Sequence, residues 1–242
     1  MQIAGSIALV TGGNRGLGKA FVQALLDAGA RKVYVGTRKP LETGDPRIQP
    51  IKLDVTSAQD IEAAAQACQD VTILLNNAGV ASDGPPLATS SIDAARQEME
   101  TNYLGLVALS QAFAPILKQN GGGAVVNMLS VASWYSYPGL GSYGASKAAA
   151  WSITNSIRIE LRAQGTLVIG VHAGFIDTEM ASAMAGPKAR PEDVAQATME
   201  GILADREEVL ADQRSVEIKT ALATDPAAFY RQQQQRWDSR AQ

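Results

Sequence analysis

Short, unbroken apolar runs alternate along this chain with longer segments of helical spacing, and that alternation narrows the available folds more than any other feature. Ile7-Ala8-Leu9-Val10, Val33-Tyr34-Val35, Ile48 to Val55, Val71 to Leu75, Ala124 to Leu129, Leu167 to Val171 and Glu208-Val209-Leu210 read as seven strands. Helical patterns fall between them, from Leu17 to Ala28, 58 to 68, 92 to 119, Ser142 to Ala163, and from Pro191 onward. Proline is favoured at the first position of a helix. Strands that are apolar throughout are buried on both faces, and strands alternating with helices pair in parallel. The expected fold is therefore α/β, a doubly wound parallel sheet of about seven strands with helices on both faces. No linker or internal repeat divides residues 1–242, so one domain is expected. Its end, 212–242, reads as a polar, helical tail carrying Phe229, Tyr230 and Trp237, packed on the body or on a partner subunit.

Composition removes several functions. Lys and Arg number 21 against 24 Asp and Glu, a net charge of -3, so no basic face is available for nucleic acid or an anionic membrane. One cysteine, Cys68, and one histidine, His172, exclude a disulfide framework and the usual metal clusters, so no metal is expected. A reducing cytoplasm is the expected compartment, and the opening Met1 to Ser6 lacks the positive segment of a targeting signal. Residues 119–146 carry no charge, but their glycines, Pro138 and many hydroxyls would leave backbone groups unpaired in lipid. They read as the buried centre of the fold, where a site can sit.

Between the first strand and the first helix lies Thr11-Gly12-Gly13-Asn14-Arg15-Gly16-Leu17-Gly18. A diphosphate needs backbone amides at close range and a helix N-terminus aimed at it, and glycines remove the Cβ atoms that would block that approach. The spacing Gly12-x-x-x-Gly16-x-Gly18 differs from the commonest dinucleotide fingerprint. Further on, Tyr143 and Lys147 stand four residues apart, on one helical face. An ammonium beside a phenol favours phenolate, which would make Tyr143 a general acid or base near neutral pH. Ser130 ends the fifth strand, the side on which open α/β sheets bind ligands.

Taken together, Thr11-Gly12-x-x-x-Gly16-x-Gly18, Asn76-Asn77-Ala78-Gly79, Ser130 and Tyr143-x-x-x-Lys147 resemble the short-chain dehydrogenase/reductase family, from about residue 5 to residue 211. The resemblance implies a Rossmann sheet, a nicotinamide cofactor and hydride transfer at a carbonyl carbon. It makes Tyr143 the proton donor, Lys147 the holder of the nicotinamide ribose and the cause of a lowered tyrosine pKa, and Ser130 a hydrogen-bond donor to the carbonyl oxygen. It makes Asn102 a support for a water-mediated proton relay. Gly12, Asn14, Arg15, Gly16, Leu17 and Gly18 would hold the diphosphate. Asp54 and Val55 would contact adenine, and Asn77, Ala78 and Gly79 the adenosine ribose. After the sixth strand Ala173 replaces the family's proline, while Gly174, Ile176 and Thr178 still fall where the carboxamide is held.

At the end of the second strand an NAD-selective site presents an acid. This chain has Gly36-Thr37-Arg38-Lys39 instead, so Thr37 and Arg38 are expected to receive a 2′-phosphate, with Arg15 as a second cation. Arg38 and Lys39 as a merely solvated pair is the competing reading. His172 reads as a satisfied core histidine rather than a base. A short lid after Thr178, with Trp134, Tyr135, Tyr137 and Phe175 nearby, suggests an open apolar pocket, though the aromatics fit core packing equally well. The expected function is an NADP(H)-dependent carbonyl reductase for an apolar ketone or aldehyde. An NAD-dependent alcohol dehydrogenase and a non-catalytic NADP-binding redox sensor are the alternatives. The polar tail replaces the family's tetramer-closing strand, which leaves a homodimer or a monomer open.

Overall fold

The computed structural model describes residues 1–39, 42–82, 87 and 92–239. Apolar residues without a polar break give β1 (Ile7–Thr11), all of it buried. The elements then run α1 (Gly16–Asp27), β2 (Lys32–Thr37), β3 (Ile48–Lys52), α2 (Ala58–Ala67), β4 (Ile73–Asn76), α3 (Ile92–Met99) and α4 (Gly105–Gln119). They continue with β5 (Gly123–Met128), α5 (Gly141–Leu161), β6 (Thr166–His172), α6 (Pro191–Leu203), β7 (Glu208–Leu210), α7 (Gln213–Thr224) and α8 (Pro226–Asp238). The strands form one seven-stranded sheet in the order β3-β2-β1-β4-β5-β6-β7. Every pairing is parallel. Helices cover both faces, as the apolar strands require. Phe21, Val194 and Ile202 belong to one core and Ile61, Leu109, Phe113 and Ile157 to the other.

Three local features depart from the sequence reading. The third strand stops at Lys52 rather than Val55, and it is an edge strand with Gln49 and Pro50 exposed. Proline is tolerated at such an edge because its missing N–H faces away from the ladder. The helix expected over 92–119 is broken by a π turn at Glu100–Leu104, in which the Gly105 N–H reaches back to the Glu100 carbonyl. Such a turn inserts one extra residue and re-aims the side chains on it. The tail is helical, as expected, but it forms two helices with aspartate caps. Asp212 accepts from the Ser215 N–H and Asp225 from the Ala228 N–H, each at 2.8 Å. These helices pack on their own chain, where Ile218 and Phe229 meet Val131, Trp134 and Tyr135. Residues 240–242 of that tail lie outside the described residues. Among the described residues, no helix is long and apolar enough to cross a membrane.

Candidate active site

The glycine turn sits where the strand order reverses, between β1 and β4. Gly12 has φ +64°, a conformation that L side chains rarely adopt. The Thr11 hydroxyl accepts the N–H groups of Asn77 and Ala78, both at 2.9 Å, and the Asn77 amide returns a bond to the Thr11 carbonyl at 2.9 Å. The turn is thereby pinned to the end of β4. A Cβ on Gly18 would lie 2.1 Å from the Gly12 carbonyl oxygen, so only glycine lets α1 start this close to the turn. No side chain caps α1 at Arg15, and its first turn carries no acid. Asn14, Arg15 and Gly16 are exposed, while Leu17 and Gly18 are buried behind them. Free amides at an uncapped N-terminus suit an anion, and the cradle fits a dinucleotide diphosphate.

Ser130 follows β5 directly and caps the short turn Val131–Ser133, its Oγ accepting the Ala132 N–H at 3.1 Å. Tyr143 lies in the first turn of α5, half-buried, with its phenol beside the Ser130 hydroxyl. Lys147 stands one turn on, buried, with Nζ donating to the Met128 carbonyl at 2.8 Å. The three residues expected to do chemistry are therefore brought together. Their electrostatics, however, correct the sequence reading. Tyr143 is not lowered by Lys147. Burial pushes its phenol up to about 12, the neighbouring Ser130 hydroxyl works against that, and the Glu98 carboxylate adds to it. The Lys147 Nζ stays 5.9 Å from the tyrosine ring centroid, and burial brings its own pKa down to about 8.

Asn102 rides on the π turn and is almost fully buried. Its Oδ1 accepts the Val80 N–H and its Nδ2 donates to the Val80 carbonyl and to the Ser146 hydroxyl, each at 2.9 Å. The side chain thus holds the segment after Gly79 against α5. A small cavity beside it is lined by Thr11, Asn76, Thr101, Asn102 and Lys147. It has room for about one water molecule. Gly79 keeps this place open, since a Cβ there would sit 3.1 Å from the Asn102 Oδ1.

At the adenosine end the Thr37 hydroxyl donates to the Lys39 carbonyl at 3.0 Å, closing a local turn. Arg15 forms an exposed ion pair with Glu179 across the turn. Arg38 and Lys39 remain exposed there. Asp54, half-buried, is held below the usual carboxylate range by the Thr56 N–H and hydroxyl, with the Arg38 charge contributing. Val55 is buried next to it.

Beyond β6 the Gly174 N–H donates to Asp212 Oδ2 at 2.8 Å, which ties the carboxamide-side loop to the cap of α7. Ile176 bridges Ala189, closing the base of the short lid, and Thr178 packs over Gly16. The aromatics beside this loop are mostly packing. Tyr135 and Tyr137 meet Phe229 and Trp237 of α8 edge to face, with ring centroids 5.0 and 6.0 Å apart. Phe175 and Met180 are left exposed on the lid side. His172 is buried as expected, but only half satisfied. Its Nδ1 faces the Ser130 carbonyl at 3.0 Å, whereas Nε2 has no hydrogen-bond partner among the described residues.

Glu98 was not read from the sequence. It is fully buried, accepts the Ser82 N–H through Oε1 at 2.6 Å, and leaves Oε2 unpaired among the described residues. Its place four residues before Asn102 was the available signal.

A Rossmann-type sheet with an anion cradle at the strand reversal and a Ser–Tyr–Lys cluster one strand away defines a dinucleotide-binding oxidoreductase. Residues 6–188 match the family profile described as short chain dehydrogenase. The chain belongs to that family, and it is an oxidoreductase of it. It is 31% identical to the 3-oxoacyl-acyl-carrier-protein reductase FabG of Vibrio cholerae, the alignment covering 95% of this chain and 94% of that protein. A short chain dehydrogenase from Burkholderia cenocepacia, solved in complex with NADP, superposes with a TM-score of 0.93 at 40% identity, covering 96% of this chain and 99% of that one. A short chain dehydrogenase/reductase from Burkholderia phymatum, solved with NAD, gives a TM-score of 0.80 at 26% identity, covering 93% and 92%.

Proposed function

We propose that this chain reduces the carbonyl carbon of an apolar ketone or aldehyde with NADPH, and oxidises the corresponding alcohol in reverse. The observation that carries the reading is the placing of the Tyr143 phenol beside the Ser130 hydroxyl, with buried Lys147 one helical turn away. When bound, a nicotinamide dinucleotide supplies or takes the hydride. The amides of Asn14, Arg15 and Gly16 would meet its diphosphate, Lys147 its ribose, and Ile176 and Thr178 its carboxamide. Arg38 would meet the 2′-phosphate, and the solved complex of the Burkholderia cenocepacia relative with NADP supports that preference.

In reduction, Tyr143 gives its phenolic proton to the carbonyl oxygen while the Ser130 hydroxyl donates to the same atom and stabilises the developing alkoxide. A phenol held near 12 enters the reaction protonated, the state a general acid needs. Asn102 fixes the segment bearing Gly79 and, through Ser146, the first turn of α5 that carries Tyr143. Exposed Phe175 and Met180 favour an apolar substrate at the lid. The test is oxidation of NADPH and of NADH followed at the nicotinamide absorbance, against a panel of ketones and aldehydes that includes 3-oxoacyl thioesters. Turnover with NADPH and apolar carbonyls is expected. Cofactor binding without turnover of any carbonyl or alcohol would leave a redox sensor instead, and preference for NADH would move the assignment to the NAD-dependent dehydrogenases.

A further inference from the structure

His172 is the single histidine of the chain, and it is fully buried at the end of β6. The Ser130 carbonyl that faces its Nδ1 can only accept, so Nδ1 carries the ring proton and donates it. That fixes the tautomer and leaves Nε2 as a bare lone pair, 3.8 Å from Glu208 Oε1. The ring stacks on Trp134 with centroids 4.1 Å apart and planes 24° from parallel. Lys219 of α7 stands 5.5 Å from the centroid of the same indole and forms an ion pair with Glu208. Four pieces of the fold therefore meet at one imidazole: β6, β7, α7 and the turn that bears Ser130.

A phenylalanine could stack on Trp134 equally well and would leave no buried nitrogen unpaired. What the imidazole adds is an N–H aimed at the peptide oxygen of the residue whose hydroxyl stands beside Tyr143. We infer that His172 is a positioning residue, whose Nδ1–H holds the Ser130 peptide and so aims the Ser130 hydroxyl at the carbonyl oxygen of the substrate. The inference rests on the reading of Ser130 given above. Lys219, over the Trp134 indole and paired with Glu208, links the stacked rings to helix α7. The charged groups around the ring are Glu208 on β7, Lys219 on α7, and Lys147 and Arg158 on α5. Burial keeps the ring neutral at physiological pH, consistent with a fixed tautomer.

The one imidazole makes a direct test possible. Nitrogen-15 NMR of the full chain labelled at histidine should show a protonated Nδ1 and a bare Nε2, and the opposite tautomer overturns the inference whatever the enzyme reduces. In turnover, His172→Phe keeps the ring and loses the donor, while His172→Asn keeps a donor near the Nδ1 position. Because misplacing a reacting group by about 1 Å costs up to about 100-fold, His172→Phe should lower kcat by about 10- to 100-fold. NADPH affinity, read from tryptophan fluorescence, should be unchanged, and His172→Asn should recover most of kcat. In a Ser130→Ala background, His172→Phe should cost nothing further. Full kcat in His172→Phe, or the same fold loss on top of Ser130→Ala, overturns the inference. Full kcat in Ser130→Ala with the expected tautomer would instead show that the assignment of Ser130 has failed, and the inference with it.

Discussion

Acid should loosen this fold through a single ring. In the unfolded chain His172 takes up its proton near pH 6.5, the ordinary histidine value. In the folded protein burial holds it down to about 4. Between those values the unfolded state binds more protons than the folded one, so stability falls as pH falls through that window and is unaffected above it. The gap between about 6.5 and about 4, at about 1.36 kcal/mol per pH unit, amounts to about 3 kcal/mol below pH 4. By pH 5 about 2 kcal/mol of that loss should already be present. Carboxylates held low in the fold, such as Asp54 and Asp60, also lose their contribution in acid, at and below their ordinary range. They are unchanged by replacing His172, so the difference between wild type and His172→Phe isolates the ring. Urea unfolding followed by tryptophan fluorescence at pH 7 and pH 5 measures it. The wild type should lose about 2 kcal/mol more than the variant over that interval. An equal loss in both proteins would show that the ring is not held neutral by burial.

Three further outcomes follow from the site. Tyr143→Phe removes the proton donor, and steady-state reduction should fall by about 10²- to 10⁴-fold with NADPH binding retained. A variant keeping most of the wild-type rate would assign the proton to another group. Gly18→Ala sets a methyl 2.1 Å from the Gly12 carbonyl oxygen and 2.7 Å from the Asn77 amide nitrogen. Neither atom can retreat without breaking the turn, so the substitution should destabilise the fold by about 1–3 kcal/mol or more, seen as a lower urea midpoint. An unmoved midpoint would mean that the turn is looser than its contacts imply. Arg38→Ala should raise the KM for NADPH at least several-fold, since a hydrogen bond to a charged group contributes about 1.5–3 kcal/mol, and leave the KM for NADH almost unchanged. Equal changes with both cofactors would make Arg38 structural.

The sequence was enough for the sheet, because its signals are local. Apolar runs such as Ile7 to Val10 and Leu167 to Val171 mark buried strands wherever they occur, and the glycine turn and the Tyr143–Lys147 spacing depend on neighbours within a few residues. Tyr143 and Lys147 could be placed on one face for that reason, while Ser130 joined them through its strand end and the family resemblance. Protonation and pairing were decided by the tertiary structure. Arg15 meets Glu179, 164 residues away, and no local pattern foretells that charge. Thr37 spends its proton on Lys39, and Asn102 spends its amide on Val80 and Ser146, choices made by loop geometry and by a π turn invisible to helical periodicity. The direction of the Tyr143 shift reversed because four residues of helix bring Lys147 to the right face but not close enough to outweigh burial and Glu98. His172 reads in the sequence as core, and burial alone would leave it so. Folding set a carbonyl before one nitrogen and, among the described residues, no hydrogen-bond partner before the other, and hydrogen bonds, unlike burial, depend on where a distant chain segment comes to rest.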